Sequence, residues 1–236
     1  MIKTYKKECD YSYTLGAFLT IELLKFKPEH AFYVAVSSKA DESEGVKKIR
    51  ALCAKSNIPC ETNDKQIEKV SPKQNCFAVG FFKKYECKLS SVDRQLVLVN
   101  PSDAGNLGTI LRTAVGFNTP DIAIIKPAVD IFEPKTVRAS MGAIFHANFK
   151  YFDSFEDYKK LGKRNFYPFM LTGAKPLPNL TLQKPYSLVF GNEGSGLPEC
   201  FKDEGQTVII PQSKLIDSLN LQTAVAIALY HCSNIK

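Results

Sequence analysis

The sequence of 236 residues lacks the features of membrane, secreted and metal-binding proteins. No apolar run approaches the roughly 20 residues that a membrane-spanning helix needs. Residues 1–7 contain lysines with no apolar stretch behind them, so no secretory signal peptide is expected. The seven cysteines include no C-x-x-C pair and the three histidines lie far apart, so neither a disulfide framework nor a metal site is predicted. We therefore expect reduced thiols and a cytoplasmic protein.

Internal repeats and low-complexity tracts are also absent, and the apolar fraction of 44% is that of an ordinary globular chain. The net charge is +7, and residues 1–90 carry most of it, with 16 Lys and Arg against 11 Asp and Glu. A basic excess favours a polyanionic partner such as nucleic acid. A solvated lysine-rich surface would give the same count, so charge alone leaves both interpretations open.

The pattern of apolar residues predicts two domains, 1–88 and 89–236. In the first, predicted strands alternate with predicted helices, which indicates a small α/β sandwich. The expected strands are 31–37, 59–62 and 76–82, and the expected helices are 13–25, 44–53 and 63–70. The polar stretch 83–93 is expected to be the linker.

The second domain begins with a continuous apolar run, which is typical of a parallel strand covered on both faces. Strands and helices then alternate to the end of the chain, so a mainly parallel sheet is predicted. The expected strands are 95–100, 121–125, 169–172, 187–190 and 207–210. The expected helices are 106–117, 134–141, 156–161 and 219–231.

The first segment that could carry chemistry follows the predicted strand 95–100. A polar, glycine-containing turn runs into the predicted helix, with Asn106 at its start and Arg112 six residues later. Ligands of open α/β sheets bind at the carboxyl ends of strands, so this turn is well placed. Arg112 stands among apolar residues, which favours a partly buried, functional arginine. An ordinary capped helix with a surface arginine is the alternative.

The second segment is Gly191-Asn-Glu-Gly-Ser-Gly196, after the predicted strand 187–190. Its glycines are spaced G-x-x-G-x-G and Pro198 follows, which disfavours a Rossmann dinucleotide site and a nucleotide-binding enzyme of another chemistry. Glycines let a backbone approach a ligand closely, and Glu193 could contact that ligand or anchor an arginine. A tight turn without a ligand would explain the glycines equally well.

The third segment joins the last predicted strand to the last predicted helix. It contains Pro211 and a polar loop that ends on Ser218 and Asn220. Both residue types are good helix N-caps, and capping alone would account for them.

Together and in this order, the segments resemble the motifs of the SpoU/TrmH family, the SPOUT-class RNA 2′-O-methyltransferases. In the family's first motif an Asn is followed by an Arg at the seventh position, as Asn106 and Arg112 are. Its second motif is a Gly-x-Glu-Gly-x-Gly loop, which residues 191–196 match.

The third motif of that family is Ile-Pro, a short loop and Ser-Leu-Asn, matched by residues 210–211 and 218–220. A further stretch, Arg138–Phe145, resembles the family's Ser-x-Gly-Ala segment. The resemblance covers residues 95–233. It departs from common family members at Gln212, where Met is frequent, and at Gln222, where Ser is frequent.

The resemblance implies a C-terminal α/β knot, a deep trefoil in which the last strand and helix thread through an earlier loop. It implies a homodimer and an S-adenosylmethionine cofactor bound in the knot, with no metal. The residues implied to contact the cofactor are Thr172, Gly173, Gly191, Ile210 and Leu219.

The family's catalytic positions fall on five residues of this sequence. We expect Arg112 to grip a phosphate and polarise the 2′-hydroxyl, because a guanidinium resists deprotonation. Asn106 would orient the ribose or Arg112, and Glu193 would position Arg112 or a loop amide. Ser218 and Asn220 would shape the methyl-donor pocket.

The N-terminal part resembles, more weakly, the small ribosomal-protein-like α/β domain that binds RNA ahead of many such enzymes. That domain has a Gln-Gly strand motif, and residues 74–79 match it with Asn75 in place of the glycine. This domain favours rRNA over tRNA as the substrate. The alternative to an enzyme is a catalytically inactive RNA-binding protein that keeps the fold.

Overall fold

The computed structural model describes residues 2–71, 75–90, 93–172 and 174–233. Their helices are α1 (Ala17–Phe26), α2 (Glu44–Lys55), α3 (Asp64–Val70), α4 (Ala104–Gly116), α5 (Pro134–Ala139), α6 (Phe155–Lys159) and α7 (Leu221–Ser233). Their strands are β1 (Tyr11–Tyr13), β2 (Ala31–Val36), β3 (Cys60–Thr62), β4 (Ala78–Lys83), β5 (Arg94–Val99), β6 (Asp121–Ile125), β7 (Asn148–Phe152), β8 (Asn165–Pro168), β9 (Lys175–Pro176), β10 (Tyr186–Phe190) and β11 (Val208–Ile209).

The chain forms two compact units. The first contains the chain up to Tyr85 together with Asp130–His146, and the second contains Glu86–Val129 and the chain from Ala147 onward. The predicted division at residue 88 did not include Asp130–His146 in the first unit. The functional roles of the domains 1–88 and 89–236 stay predictions.

The first unit is built on a four-stranded sheet of order β1-β4-β2-β3, in which only β2 and β3 are parallel. Side chains alternate across its strands. Val34 and Val36 belong to a core cluster with α1 and α2, whereas Ala35 belongs to a cluster with Ile67 and Val70 of α3. Helices therefore cover both faces of this sheet.

Polar contacts attach the later segment Asp130–His146 to this unit. The hydroxyl of Tyr5 and the ammonium of Lys84 donate to the carboxylate of Asp130, and the hydroxyl of Ser12 donates to the carbonyl of Phe132. The stretch Arg138–Phe145, which resembles the family's Ser-x-Gly-Ala segment, thus belongs to the first unit.

The second unit is built on a five-stranded sheet of order β7-β6-β5-β10-β8, in which all neighbours are parallel. The predicted mainly parallel sheet is confirmed. Every residue of β6 and β10 is buried, which explains why their sequences are apolar apart from Asp121 and Ser187. The helices α4 and α7 pack against each other.

Several predicted boundaries were wrong. The apolar run 169–172 is not a strand: β8 ends at Pro168, and the following residues form a cavity wall described below. Helix α4 begins at Ala104 because the side chain of Asp103, not of Asn106, caps it. The short strands β1, β7, β8 and β9 were not predicted. Among the described residues, every helix is too short or too polar to cross a membrane.

Candidate active site

The turn after β5 and the loop after β10 lie side by side at one edge of the parallel sheet. The two strands are hydrogen-bonded neighbours, so their carboxyl ends, at Val99 and Phe190, reach the same edge. The strand order reverses between them, because the chain runs from β5 outward to β6 and β7 and then crosses to β8 and β10. Such a reversal opens the crevice in which α/β proteins bind ligands.

Glu193 joins these two segments. Its carboxylate accepts hydrogen bonds from the amide of Ser102 at 3.0 Å, the hydroxyl of Ser102 at 2.8 Å and the amide of Asp103 at 3.2 Å. The side-chain amide of Asn106 reaches the same carboxylate at 3.5 Å. Of the two predicted roles for Glu193, holding Arg112 or holding a loop amide, these contacts match the second.

Asn192 makes a second set of links, which no sequence motif predicted. Its side-chain amide donates to the carbonyl of Asn100 at 2.8 Å, and its side-chain oxygen accepts from the amides of Gly194 at 2.9 Å and Ser195 at 3.2 Å. A short polar residue in a glycine-rich turn is the signal that could have indicated such backbone bonding. Asn192 thus fixes both the shape of the loop and its distance from the turn.

The hydrogen bonds keep Glu193 ionised. Partial burial favours the protonated acid, but the bonds from Ser102 and the amide of Asp103 together outweigh it, so the pKa of Glu193 lies below its ordinary value of 4.5. Glu193 is therefore a carboxylate at neutral pH. It acts as an acceptor and as a fixed negative charge beside the N-terminus of α4, where such a charge is stabilising.

Close backbone approach explains one of the glycines. A Cβ atom at Gly191 would lie 2.1 Å from the carbonyl carbon of Gly196, so no other residue fits without moving the loop. The backbone amide of Asn192 donates to the carbonyl of Gly196, and the amide of Gly196 donates to the carbonyl of Asn192, which closes the loop on itself. Gly196 has a φ of 68°, in the left-handed region that glycine adopts at no cost.

A cavity of about 350 Å³, here called the main cavity, opens against this loop. Residues from three stretches of chain, 169–172, 190–199 and 208–224, form its walls. Six predicted site residues line it: Thr172, Gly191, Glu193, Ile210, Ser218 and Leu219. The predicted cofactor residue Gly173 lies outside the described residues.

Two backbone pairings bring the outer walls together. The strands β9 and β11 form a parallel pair, and Phe169 forms an isolated bridge with Val208. The rings of Phe169 and Phe190 stack with centroids 4.3 Å apart, so the cavity has an aromatic side. Residues 169–172 were predicted to be a strand because they are apolar, but they line this cavity instead.

Three predicted catalytic residues do not line the main cavity: Asn106, Arg112 and Asn220. Asn106 contacts Glu193, as described above. The carbonyl of Asn220 accepts hydrogen bonds from the amides of Thr223 and Ala224, so this residue starts α7.

Arg112 is exposed, while its neighbours Ile110, Leu111 and Ala114 are buried. The expectation of a partly buried arginine was therefore wrong, because α4 turns its apolar stripe inward and Arg112 outward. Within the part of the chain that the structure describes, Arg112 makes no hydrogen bond or ion pair.

The charge of the main cavity is negative. Glu193 and Glu199 line it, and none of the described lining residues is a lysine or an arginine. A ligand that carries positive charge and an apolar, flat portion would suit these walls.

This architecture is shared with a known protein family. Residues 93–230, more than half of the chain, match the model of the SpoU rRNA Methylase family. The chain is 28% identical over 149 residues to the 23S rRNA (guanosine(2553)-2′-O)-methyltransferase of Bacillus subtilis, a match that covers 62% of this chain and 60% of that protein. The chain thus spans less than two thirds of the length of this relative.

Two solved structures share the fold. The structure of an rRNA methyltransferase with bound AdoMet from Sinorhizobium meliloti has a TM-score of 0.80 and 26% identity, covering 94% of this chain and 86% of that one. The SpoU methyltransferase AviRb of Streptomyces viridochromogenes, in complex with AdoMet, has a TM-score of 0.82 at 17% identity, covering 95% and 89%.

Proposed function

This chain belongs to the SpoU rRNA methylase family, and we propose that it transfers a methyl group from S-adenosylmethionine to a ribose 2′-hydroxyl of RNA. The observation that supports this most directly is the main cavity, whose walls combine the second and third family motifs. Glu193 ties the first motif to the same site. The relatives named above carry methyltransferase names, which favours an active enzyme over an inactive RNA-binding scaffold.

The chemistry of the cavity fits S-adenosylmethionine. A volume of about 350 Å³ lies in the range of small-molecule sites. The carboxylates of Glu193 and Glu199 suit a ligand with a sulfonium and an ammonium group, and the aromatic side formed by Phe169 and Phe190 suits an adenine. When bound, this cofactor supplies an electrophilic methyl group on a positive sulfur. We propose that Thr172, Gly173, Gly191, Ile210 and Leu219 hold it.

The residues of this chain must bring the 2′-oxygen in line with the methyl group and remove the hydroxyl proton. As the new C–O bond forms, the C–S bond breaks and the proton leaves the hydroxyl. We assign to Arg112 the grip on the adjacent phosphate and the polarisation of the hydroxyl, with a phosphate oxygen taking the proton. Asn106 orients the ribose or Arg112, Glu193 holds the turn, and Ser218 and Asn220 shape the methyl-donor pocket.

The assembly is proposed to be a homodimer in which Arg112 of one protomer serves the main cavity of the other. The exposed position of Arg112, outside the cavity of its own chain, supports this arrangement. Exposed apolar residues on α7, Ile227 at 38% and Tyr230 at 64%, are consistent with a covered face. The second unit is proposed to be a knot, with the last strand and α7 threaded through an earlier loop.

Complementation between two inactive variants tests the shared site. Arg112→Ala and Leu219→Trp, which fills the main cavity, would each be inactive alone. In a mixed dimer the protomer with the open cavity receives the intact Arg112 of its partner, so activity should return to about a quarter of the wild-type level for random pairing. Arg112 acting within its own chain would give no recovery.

The substrate is proposed to be RNA, with rRNA favoured over tRNA, and the protein is proposed to act in the cytoplasm without a metal. The basic excess of residues 1–90 supports the assignment of domain 1–88 to RNA binding and 89–236 to methyl transfer. Mapping ribose methylation in a deletion strain and its parent identifies the target. Calorimetric titration with S-adenosylmethionine separates an enzyme from an inactive scaffold, which need not bind it.

A further inference from the structure

A second hollow, here called the proline hollow, lies beside the main cavity in the same unit and has a volume of about 480 Å³. Its walls are the turn 99–102, the segment 127–129 after β6, and the far side of the glycine loop. Asn192, Ser195 and Gly196 line both cavities, so the glycine loop is their common wall. None of the roles proposed above uses this hollow.

The lining of the proline hollow is neutral. Its apolar surface comes from Pro101, Pro127, Ala128, Val129 and Pro198, and none of the described lining residues carries a charge. A phosphate or carboxylate would need a cationic partner to leave water, so the hollow does not suit an anion. A flat, uncharged ring suits it better.

Polar groups at the rim could bind the edge of such a ring. The hydroxyl of Ser195 is exposed, and its distance of 3.4 Å to Asn192 leaves it free to rotate toward a ligand. Ser102 also lines the hollow, and because its hydroxyl donates to Glu193 it offers a ligand an acceptor only. An apolar slot with hydrogen-bonding groups at its rim is the environment in which proteins hold an unstacked nucleobase.

The hollow is held open by bonds among its own walls. The amide of Val129 donates to the carbonyl of Pro101 at 2.9 Å, and the hydroxyl of Tyr151 donates to the carbonyl of Val129 at 2.9 Å. Asn192 fixes the third wall through the carbonyl of Asn100. A pocket formed in advance costs little ordering free energy when a ligand enters.

We propose that the proline hollow receives the nucleobase of the RNA nucleotide whose ribose is methylated. The inference rests on the proposed methyl transfer, which requires the target ribose to reach the main cavity. A base in the hollow would place its ribose at the common wall, next to that cavity. The nucleotide must leave its stack to enter, and the rim groups at Ser102 and Ser195 would then contribute to the choice of base.

The test fills the hollow without touching the main cavity. The substrate is rRNA from a strain that lacks this protein. Ala128→Trp should lower methyl transfer to this rRNA by about 20-fold or more, because the base can no longer enter the hollow and the ribose is no longer aligned. The dissociation constant for S-adenosylmethionine, measured by calorimetry, should stay within twofold. Ala128→Ser, which leaves the hollow open, and Leu161→Trp, on an exposed position outside both cavities, should methylate normally. A normal rate for Ala128→Trp would overturn the inference.

A binding measurement on the wild-type protein tests the same inference without turnover. Titration with the four nucleoside 5′-monophosphates at millimolar concentration should shift the backbone amide NMR signals of Ala128, Val129 and Ser195. Shifts confined to other parts of the chain would refute the proposal. This outcome can be measured even if the Ala128→Trp variant fails to fold. This titration needs no methylation. A wild-type protein that is inactive on rRNA would therefore count against the proposed function, whereas the titration alone would decide whether the hollow binds a nucleobase.

Discussion

The candidate active site has two unlike halves. The anchored half consists of the turn 100–103 and the loop 191–197, which Asn192 and Glu193 join through hydrogen bonds to backbone groups. The open half is the segment 211–220. In the described part of the chain, residues 211–219 bond only to one another, and Leu215 and Ile216 are 94% and 49% exposed.

One half of the site is therefore completed by folding alone, and the other is not. Short polar side chains in the anchored half satisfy the backbone groups of two loops, so its geometry exists before any ligand arrives. In the open half, apolar side chains such as Leu215 lie in water, uncovered by the rest of the described chain. We therefore expect a bound cofactor or a second copy of the chain to complete the open half.

The largest effect is expected when the hydrogen bonds of Glu193 are removed. Glu193→Ala removes the acceptor that holds Ser102 and Asp103, and methyl transfer should fall by about 100-fold or more, since a small misplacement of reacting groups costs that much. A filter assay with tritiated S-adenosylmethionine measures this loss. Glu199→Ala is the matched control, because Glu199 lines the same cavity and pairs only with Lys202 among the described residues. Equal losses in both variants would show that cavity charge matters and the anchor does not.

A substitution at Asn192 tests the shape of the loop without changing the charge of Glu193. Asn192→Ala leaves the carbonyl of Asn100 and the amides of Gly194 and Ser195 without their partner, and should lower the free energy of unfolding by about 2 kcal/mol. Denaturant titration measures the difference. Asn179→Ala, on an exposed asparagine whose side chain makes no hydrogen bond to the described residues, should stay within about 0.5 kcal/mol. An equally small effect at Asn192 would mean that water replaces its bonds.

The open half is tested through assembly. Leu215→Asp should weaken the proposed homodimer by about fivefold, because it places a charge where an apolar side chain is expected to be covered. Sedimentation equilibrium gives the dissociation constant, and Leu161→Asp is the control on another exposed leucine. If the dimer of Leu215→Asp is unchanged while its affinity for S-adenosylmethionine drops, the cofactor and not the second copy covers this segment.

For the anchored half, the sequence predicted the positions of strands and motif residues better than the hydrogen bonds between them. The parallel strands β5, β6 and β10 were found within one or two residues, because buried parallel strands show continuous apolar runs. The family motifs located Glu193 and the glycines. The role of Asn192 was missed, because its partner Asn100 lies 92 positions away and no local pattern records such a contact.

Predictions were wrong where apolar side chains do not mark a strand or a buried neighbour. The run 169–172 lines a cavity, and the apolar neighbours of Arg112 face inward while Arg112 itself faces water. Composition cannot distinguish these cases, because burial depends on which element packs alongside. Asp130–His146 was assigned to the second domain because its contacts with Tyr5, Ser12 and Lys84 are far away in sequence.

The smallest expected effect is a dependence of the free energy of unfolding on pH. The pKa of Glu193 is lowered in the folded chain, so its contribution to stability is present above its ordinary value of 4.5 and is lost as the pH falls through the lowered pKa. The difference in unfolding free energy between the wild type and Glu193→Gln should amount to about 1 kcal/mol or less, given its exposure, and stay constant from pH 7 to 5. It should narrow below about pH 4.5, because protonation then removes the charge that the amides of Ser102 and Asp103 bind. Denaturant titrations of both proteins at several pH values measure it, and the other carboxylates cancel because both proteins share them. A difference that stays constant to pH 3 would show that a neutral Glu193 holds the anchored half equally well, and that its geometry depends on hydrogen bonds alone.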